Sequence, residues 1–269
     1  MISDAELRSL AERLAREAGA IALDGRRGAG DRFRGDTKSS RTDVVTEFDR
    51  AAEAHIVGEL RRLRPNDAII GEEGTDDTGT SGLAWFLDPI DGTTNFVYDH
   101  AAWACSIGVA RGDAMVAGAV FVPPTGEMFS AAIGAGATLD GRPISTSGET
   151  ELALALVGTG FTYHADRRRA QGRVVAELLA EIRDVRRLGS AAVDLCMVAC
   201  GRLDVYYERY LNSWDAAAGE LIAREAGAVT SDFAGNRARP EQMVAATPAI
   251  HAAFLAALRS ASDRSPGNS

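Results

Sequence analysis

The segment Asp88-Pro89-Ile90-Asp91-Gly92-Thr93-Thr94-Asn95-Phe96 has the residue types and spacing for phosphate chemistry. The apolar run Ala84-Trp85-Phe86-Leu87 reads as a strand that delivers Asp88 to its carboxyl end. Pro89 fixes φ and cannot extend a ladder, so the chain is expected to turn at once and bring Asp91 near the same point as Asp88. Gly92 permits close backbone approach. Thr93-Thr94-Asn95 offers a helix N-terminus, whose unpaired N–H groups bind anions. Carboxylates for hard cations next to a phosphate nest would form a phosphoryl site. Taken alone, an Asp-Gly-Thr turn reads more simply as aspartates capping a helix.

Other acids at element ends change that balance. Gly71-Glu72-Glu73 repeats the strand-then-carboxylate arrangement after Ala68-Ile69-Ile70, and Ser213-Trp214-Asp215-Ala216-Ala217 puts an acid at the start of an Ala-rich helix. Asp215 alone fits an ordinary helix-start acid, and Glu73 alone a solvated one. Together, Glu72, Asp88, Asp91 and Asp215 could bind two or three Mg²⁺, which bridge phosphate oxygens and lower the pKa of a water.

Elements to position these groups can be read along the chain. Ser3 and Glu6 form a capping box for a first helix with Leu7, Leu10, Leu14, Ala18 and Ile21 on one face. Residues 24–43 lack an apolar period and read as a flexible loop. A second helix from Thr46 turns Phe48, Ala52, Ile56, Leu60 and Leu63 inward. Strands follow at Cys105–Ala110, Met115–Val122 and Glu127–Ala132, with a hairpin signal at Asp140-Gly141. The second half alternates: strands near 154–158, 185–188, 203–207, 229–230 and 243–246, and helices near 167–182, 190–200, 214–226 and 248–258. This order predicts an α+β and α/β layered sandwich with sub-domains at 1–145 and 146–260 and a disordered tail at 261–269.

The 269 residues carry 38 acidic and 29 basic side chains, a net charge of −9. An acidic chain is a poor nucleic-acid binder. No apolar stretch of about 18 residues supports a membrane span, and the N-terminus lacks a signal pattern. Cys105, Cys196 and Cys200 have no CxxC spacing, so they read as buried thiols in a cytoplasmic protein. His55, His100, His164 and His251 are isolated, and no Walker A sequence or nucleophile elbow occurs. Haloacid-dehalogenase spacing also fails, because two residues separate Asp88 from Asp91. Arg167-Arg168-Arg169 reads as a solvated helix face, with phosphate steering the minority reading.

From about Leu7 to Leu258 the sequence resembles the inositol monophosphatase family of Mg²⁺-dependent, lithium-sensitive phosphatases. Gly71–Glu73, Asp88–Phe96 and Trp214–Gly227 match its motifs in order, supported by Lys38-Ser39-Ser40, Asp43–Thr46 and Asp49. The resemblance implies the αβαβα sandwich of the inositol monophosphatase and fructose-1,6-bisphosphatase type. It also implies Glu72, Asp88, the carbonyl of Ile90, Asp91 and Asp215 as metal ligands, with Gly92 and Thr93 holding phosphate through backbone N–H groups. By the same carry-over Asp49, Thr93 and Glu72 are catalytic, Asp49 and Thr93 orienting the attacking water. Lys38 belongs to the mobile loop that closes on the metals. Gly189, Ser190 and Ala191 pack beside the polyol, and Asp215 also borders the substrate. Glu208 accepts hydrogen bonds from ring hydroxyls. Ser190 stands where many inositol phosphatases carry Thr, keeping the hydroxyl. The implied reaction is hydrolysis of inositol 1-phosphate by a homodimer. Histidinol phosphate, fructose 1,6-bisphosphate, NADP(H) and a regulatory protein-binding role are the alternatives.

Overall fold

The computed structural model describes residues 2–30, 36–37 and 44–264. Lys38 and most of the 28–43 loop lie outside the described residues. Helix α1 (Asp4–Ala29) starts at the expected capping box: the Ser3 N–H donates to Glu6 at 2.8 Å and the Glu6 N–H to Ser3 at 3.3 Å. It continues through residues that look like a loop in the sequence, because tertiary contacts override their weak period. The Arg26 guanidinium is buried and donates to the Phe96 carbonyl at 2.9 Å and to that of Val97 at 3.3 Å. Ile21 is exposed and Ala22 takes the buried position.

The short strands β1 (Asp36–Thr37) and β2 (Val44–Val45) pair antiparallel ahead of α2 (Glu47–Leu63). Leu63, expected inside, is exposed on the last turn of α2. The larger sheet contains β3 (Ala68–Gly71), β4 (Asp76–Asp77), β5 (Leu83–Asp91), β6 (Ala104–Arg111), β7 (Ala114–Val122), β8 (Glu127–Ala132), β9 (Ala137–Leu139) and β10 (Arg142–Pro143). Its order is β10-β9-β8-β7-β6-β5-β3-β4, antiparallel except where β3 runs parallel to β5. The short helix α3 (Thr93–Val97) follows β5.

The smaller sheet has the order β12-β11-β13-β15-β14, formed by β11 (Leu156–Thr159), β12 (Asp184–Arg186), β13 (Val205–Arg209), β14 (Val229–Ser231) and β15 (Gln242–Ala246). Helices α4 (Ala165–Leu178), α5 (Ala191–Ala199), α6 (Ser213–Glu225) and α7 (Pro248–Asp263) are interspersed with these strands. The last helix reaches Asp263 and buries Ala261, so residues 261–263 are helical where their composition suggests disorder, and residues 265–269 lie outside the described residues.

Alternation along the strands explains the layers. In β8, Phe129 and Ala131 face the central helices α5 and α6, whereas Met128 faces α1 and α2. In β13, Tyr206 packs toward the central helices and Tyr207 toward α4 and α7. The result is the expected αβαβα sandwich, with apolar cores between its layers. Each fully buried Leu or Ile, such as Leu14, Ile56 or Leu221, contributes about 1.5–3 kcal/mol. The Ala-rich face of α6 lies flat on the larger sheet at Gly108 and Gly118. A Cβ at these positions would come within 2.6 Å of Ala217 and 3.0 Å of Ala218. That close packing fixes the height of the α6 N-terminus above the ends of β5 and β3.

Candidate active site

Strand β5 does not stop at Pro89. It continues to Asp91 through a register shift: Asp88 pairs with Ser106 and Asp91 with Ala104 on β6. Pro89 and Ile90 therefore oppose Cys105 alone, and a bulge is where proline is tolerated inside a sheet. Residues three apart on a regular strand point to opposite faces; the extra residue returns Asp91 to the face of Asp88. Glu72 reaches the same place because its N–H continues the β3–β5 pairing, donating to the Leu87 carbonyl at 3.1 Å. Buried Glu53 on α2 shapes this turn, accepting from the N–H of Glu73 at 2.8 Å and the hydroxyl of Thr75 at 2.7 Å.

These groups open onto one cleft of about 330 Å³. Its walls include Glu72, Asp88, Ile90, Asp91, Gly92 and Thr93 from the first half of the chain, and Gly189, Ser190, Ala191, Glu208 and Asp215 from the second. Asp215 is the acid of a capping box, accepting from the Asn212 N–H at 2.7 Å, so helix-start acid and cleft carboxylate are both correct descriptions. Burial pushes the Asp88 carboxyl well up, with the Glu72, Asp91 and Asp215 charges adding to the effect. Burial raises Asp215 likewise, helped by Asp91 and opposed by the Asn212 N–H. Asp91 is pushed up to about 6, mainly by burial, while Ser190 and Ala192 pull it down. The Ser190 hydroxyl and the Ala192 N–H each donate to Asp91 Oδ2 at 2.6 Å.

Gly92 has φ +96°, and a Cβ there would lie 3.0 Å from the Ala102 carbonyl and 3.1 Å from that of Gly189. Only glycine suits that combination of backbone conformation and close approach. It starts α3, whose Asn95 amide donates to the Ala102 carbonyl at 2.5 Å and the Leu188 carbonyl at 2.7 Å, tying the two cleft walls together. Asp49 does not line the cleft but lies buried behind Thr93. The Thr93 hydroxyl is 3.4 Å from Asp49 Oδ1 and 3.2 Å from the Ile90 carbonyl. Asp49 Oδ2 accepts from the Thr46 N–H at 2.8 Å and from the Thr46 hydroxyl. Burial, with Glu73 and Glu72 nearby, pushes its carboxyl up to about 7 against these hydrogen bonds.

The cleft thus gathers the site residues implied by the resemblance, apart from Asp49 one layer back and Lys38 outside the described residues. The structure adds groups the sequence did not mark. Arg187 lines the cleft and its charge favours the ionised forms of Asp91 and Glu208. It follows Arg186 in an ordinary-looking charged pair, so nothing in the sequence distinguished it. Asp194, three residues after Ala191, is buried, and its Oδ1 has no hydrogen-bond partner. Among the described residues, no group of three or more His, Cys, Asp or Glu side chains is placed so that it could hold a metal ion as it stands. The carboxylates and the Ile90 carbonyl of the cleft offer oxygen donors, as hard cations require, and a cation would offset the burial and the neighbouring charge that raise Asp88, Asp91 and Asp215.

Comparisons with known proteins follow the same pattern. A family model described as the inositol monophosphatase family matches residues 3–263. Inositol-1-monophosphatase SuhB of Mycobacterium tuberculosis is 47% identical over 278 residues, covering 95% of this chain and 94% of that protein. A solved structure of Mycobacterium tuberculosis SuhB has a TM-score of 0.85 at 42% identity and covers 100% of both chains. Nus factor SuhB of Salmonella typhimurium is 38% identical over 227 residues, covering 83% and 85%. Among the described residues, no helix is long and apolar enough to cross a membrane. By family model, sequence identity and fold alike, the chain belongs to the inositol monophosphatase family of phosphatases.

Proposed function

We propose that the chain hydrolyses a small polyol phosphate monoester, with inositol 1-phosphate preferred, releasing myo-inositol and phosphate. The observation that carries this reading is a single cleft in which a carboxylate wall faces Ser190 and Glu208. Glu72, Asp88, the Ile90 carbonyl, Asp91 and Asp215 are the residues that would hold two or three Mg²⁺. Bound there, Mg²⁺ supplies positive charge for the phosphate and leaving oxygens and lowers the pKa of water. Gly92 and Thr93 offer backbone N–H groups to the phosphate. The lone pairs of Thr93 Oγ1 can accept a proton from the attacking water while its own proton passes to Asp49 Oδ1, 3.4 Å away. A carboxyl pushed up to about 7 is suited to receive that proton near neutral pH. Attack in line on phosphorus then needs no covalent phosphoenzyme, and positioning with electrostatics carries the rate.

The test is a kcat/KM panel over inositol 1-phosphate, histidinol phosphate, fructose 1,6-bisphosphate and NADP(H), in Mg²⁺ with and without Li⁺. Inositol 1-phosphate should lead, with turnover suppressed by Li⁺. Histidinol phosphate turned over far faster would overturn the substrate choice. A homodimer is part of this reading, and sedimentation as a monomer would remove it. A regulatory protein-binding role gains support from the Salmonella relative's name, Nus factor. It becomes the better reading if no phosphate in the panel is hydrolysed and a protein partner co-purifies.

A further inference from the structure

Residues 206 and 208 lie on the same face of β13, whereas Tyr207 points to the opposite layer. Tyr206 is fully buried, and its hydroxyl donates to Glu208 Oε2 at 2.6 Å. On the neighbouring parallel strand, Thr159 pairs with Tyr207, which sets Gly160 beside Glu208. The Glu208 carboxylate lies directly against the Gly160 backbone: a Cβ there would be 1.8 Å from Oε2 and 2.3 Å from Oε1. Both Gly160 and Glu208 line the cleft.

We infer that Tyr206 and Gly160 form a seat that fixes the orientation of Glu208 and thereby sets selectivity for hydroxyl-bearing phosphate esters. The inference rests on the polyol-phosphatase reading above and assigns two positioning residues to it. Tyr206 occupies Oε2 and prevents the carboxylate from rotating freely, leaving Oε1 to accept from a substrate hydroxyl. Gly160 provides the space in which the carboxylate can lie flat against the strand. A carboxylate held by a buried donor loses little rotational freedom on binding, so its hydrogen bond to substrate is better realised. A tyrosine needed only for packing could be replaced by phenylalanine without consequence for selectivity, because the ring volume is kept.

The experiment compares inositol 1-phosphate with p-nitrophenyl phosphate, which has no free hydroxyl, in saturating Mg²⁺. Tyr206→Phe should raise KM for inositol 1-phosphate about fivefold or more, with kcat within about twofold. Its kinetics with p-nitrophenyl phosphate should stay near those of wild type. Gly160→Ala, which displaces the carboxylate without touching the tyrosine, should produce the same selective change. In a Glu208→Gln background, Tyr206→Phe should add little, because the two substitutions act on one interaction. An equal rise in KM for both esters, no rise for either, or a full additional effect in the Glu208→Gln background would overturn the seat. If wild-type protein hydrolyses neither ester, the functional reading itself fails and the seat falls with it.

Discussion

The two walls of the cleft solve opposite electrostatic problems. The wall from the larger sheet and the start of α6 concentrates Glu72, Asp88, Asp91 and Asp215, and burial among these neighbouring charges disfavours ionisation of the three aspartates. The wall from the smaller sheet presents a serine hydroxyl, an arginine and one carboxylate held by a buried tyrosine. One wall crowds buried acids together, and the other has its hydrogen bonds already arranged. The difference implies a division of labour: charge compensation on the first side, recognition of hydroxyls on the second. Substitutions on the two sides should therefore fail in different kinetic constants.

The largest effect is expected on the charged wall. Asp91→Asn keeps an oxygen for the Ser190 and Ala192 donors but removes the charge, so kcat should fall by several orders of magnitude while circular dichroism stays native. Near-normal Mg²⁺-dependent turnover in that variant would erase the distinction between the walls. On the other side, Glu208→Gln should raise KM for inositol 1-phosphate by about 10- to 100-fold with a smaller change in kcat, as expected for losing a charged hydrogen-bond partner. A collapse of kcat with KM unchanged would move Glu208 to the chemical side of the comparison.

A pH experiment tests this crowding directly. Asp49 rises from 3.8 to about 7 on folding, so between these values the folded chain holds a proton that the unfolded chain has released. Stability of the metal-free protein should thus fall as pH rises through that window, each pKa unit amounting to about 1.4 kcal/mol. The upward shifts of Asp88, Asp91 and Asp215 act in the same direction. Mg²⁺ should consequently raise Tm by more at pH 8 than at pH 5, measured against a chelator control; the reverse order would contradict charge crowding as the cause. The smallest effect should come from the tie between the walls. Asn95→Ala frees the Ala102 and Leu188 carbonyls and should cost about 1–3 kcal/mol in denaturant unfolding, with only a modest rise in KM.

The first wall was legible in the sequence and much of the second was not, for a physical reason. Glu72, Asp88 and Asp91 come from strand ends close in sequence, so alternation and short motifs were enough to place them together. Even there the bulge was hidden: Pro89 signalled a stop, whereas the ladder absorbs it and continues. The seat of Glu208 depends on β11 lying parallel to β13, a long-range pairing that leaves no local pattern at Gly160. Arg187 acquires its role from the carboxylates that fold near it. The extension of α1 past residue 24 is similar, since buried Arg26 meets the α3 carbonyls of Phe96 and Val97, far away in sequence.

The hydrogen bond from Ser190 to Asp91 spans 99 residues of sequence, and that separation governs how the molecule is made. During synthesis Glu72, Asp88 and Asp91 emerge before the residues of α5 and α6, so the groups that complete the cleft come later in the chain. The cleft cannot become a finished site until the central helices dock, and their docking delivers Asp215 together with the donors for Asp91. Completion of the cleft therefore reports docking of the central helices, and a chain arrested before them would lack the fourth carboxylate.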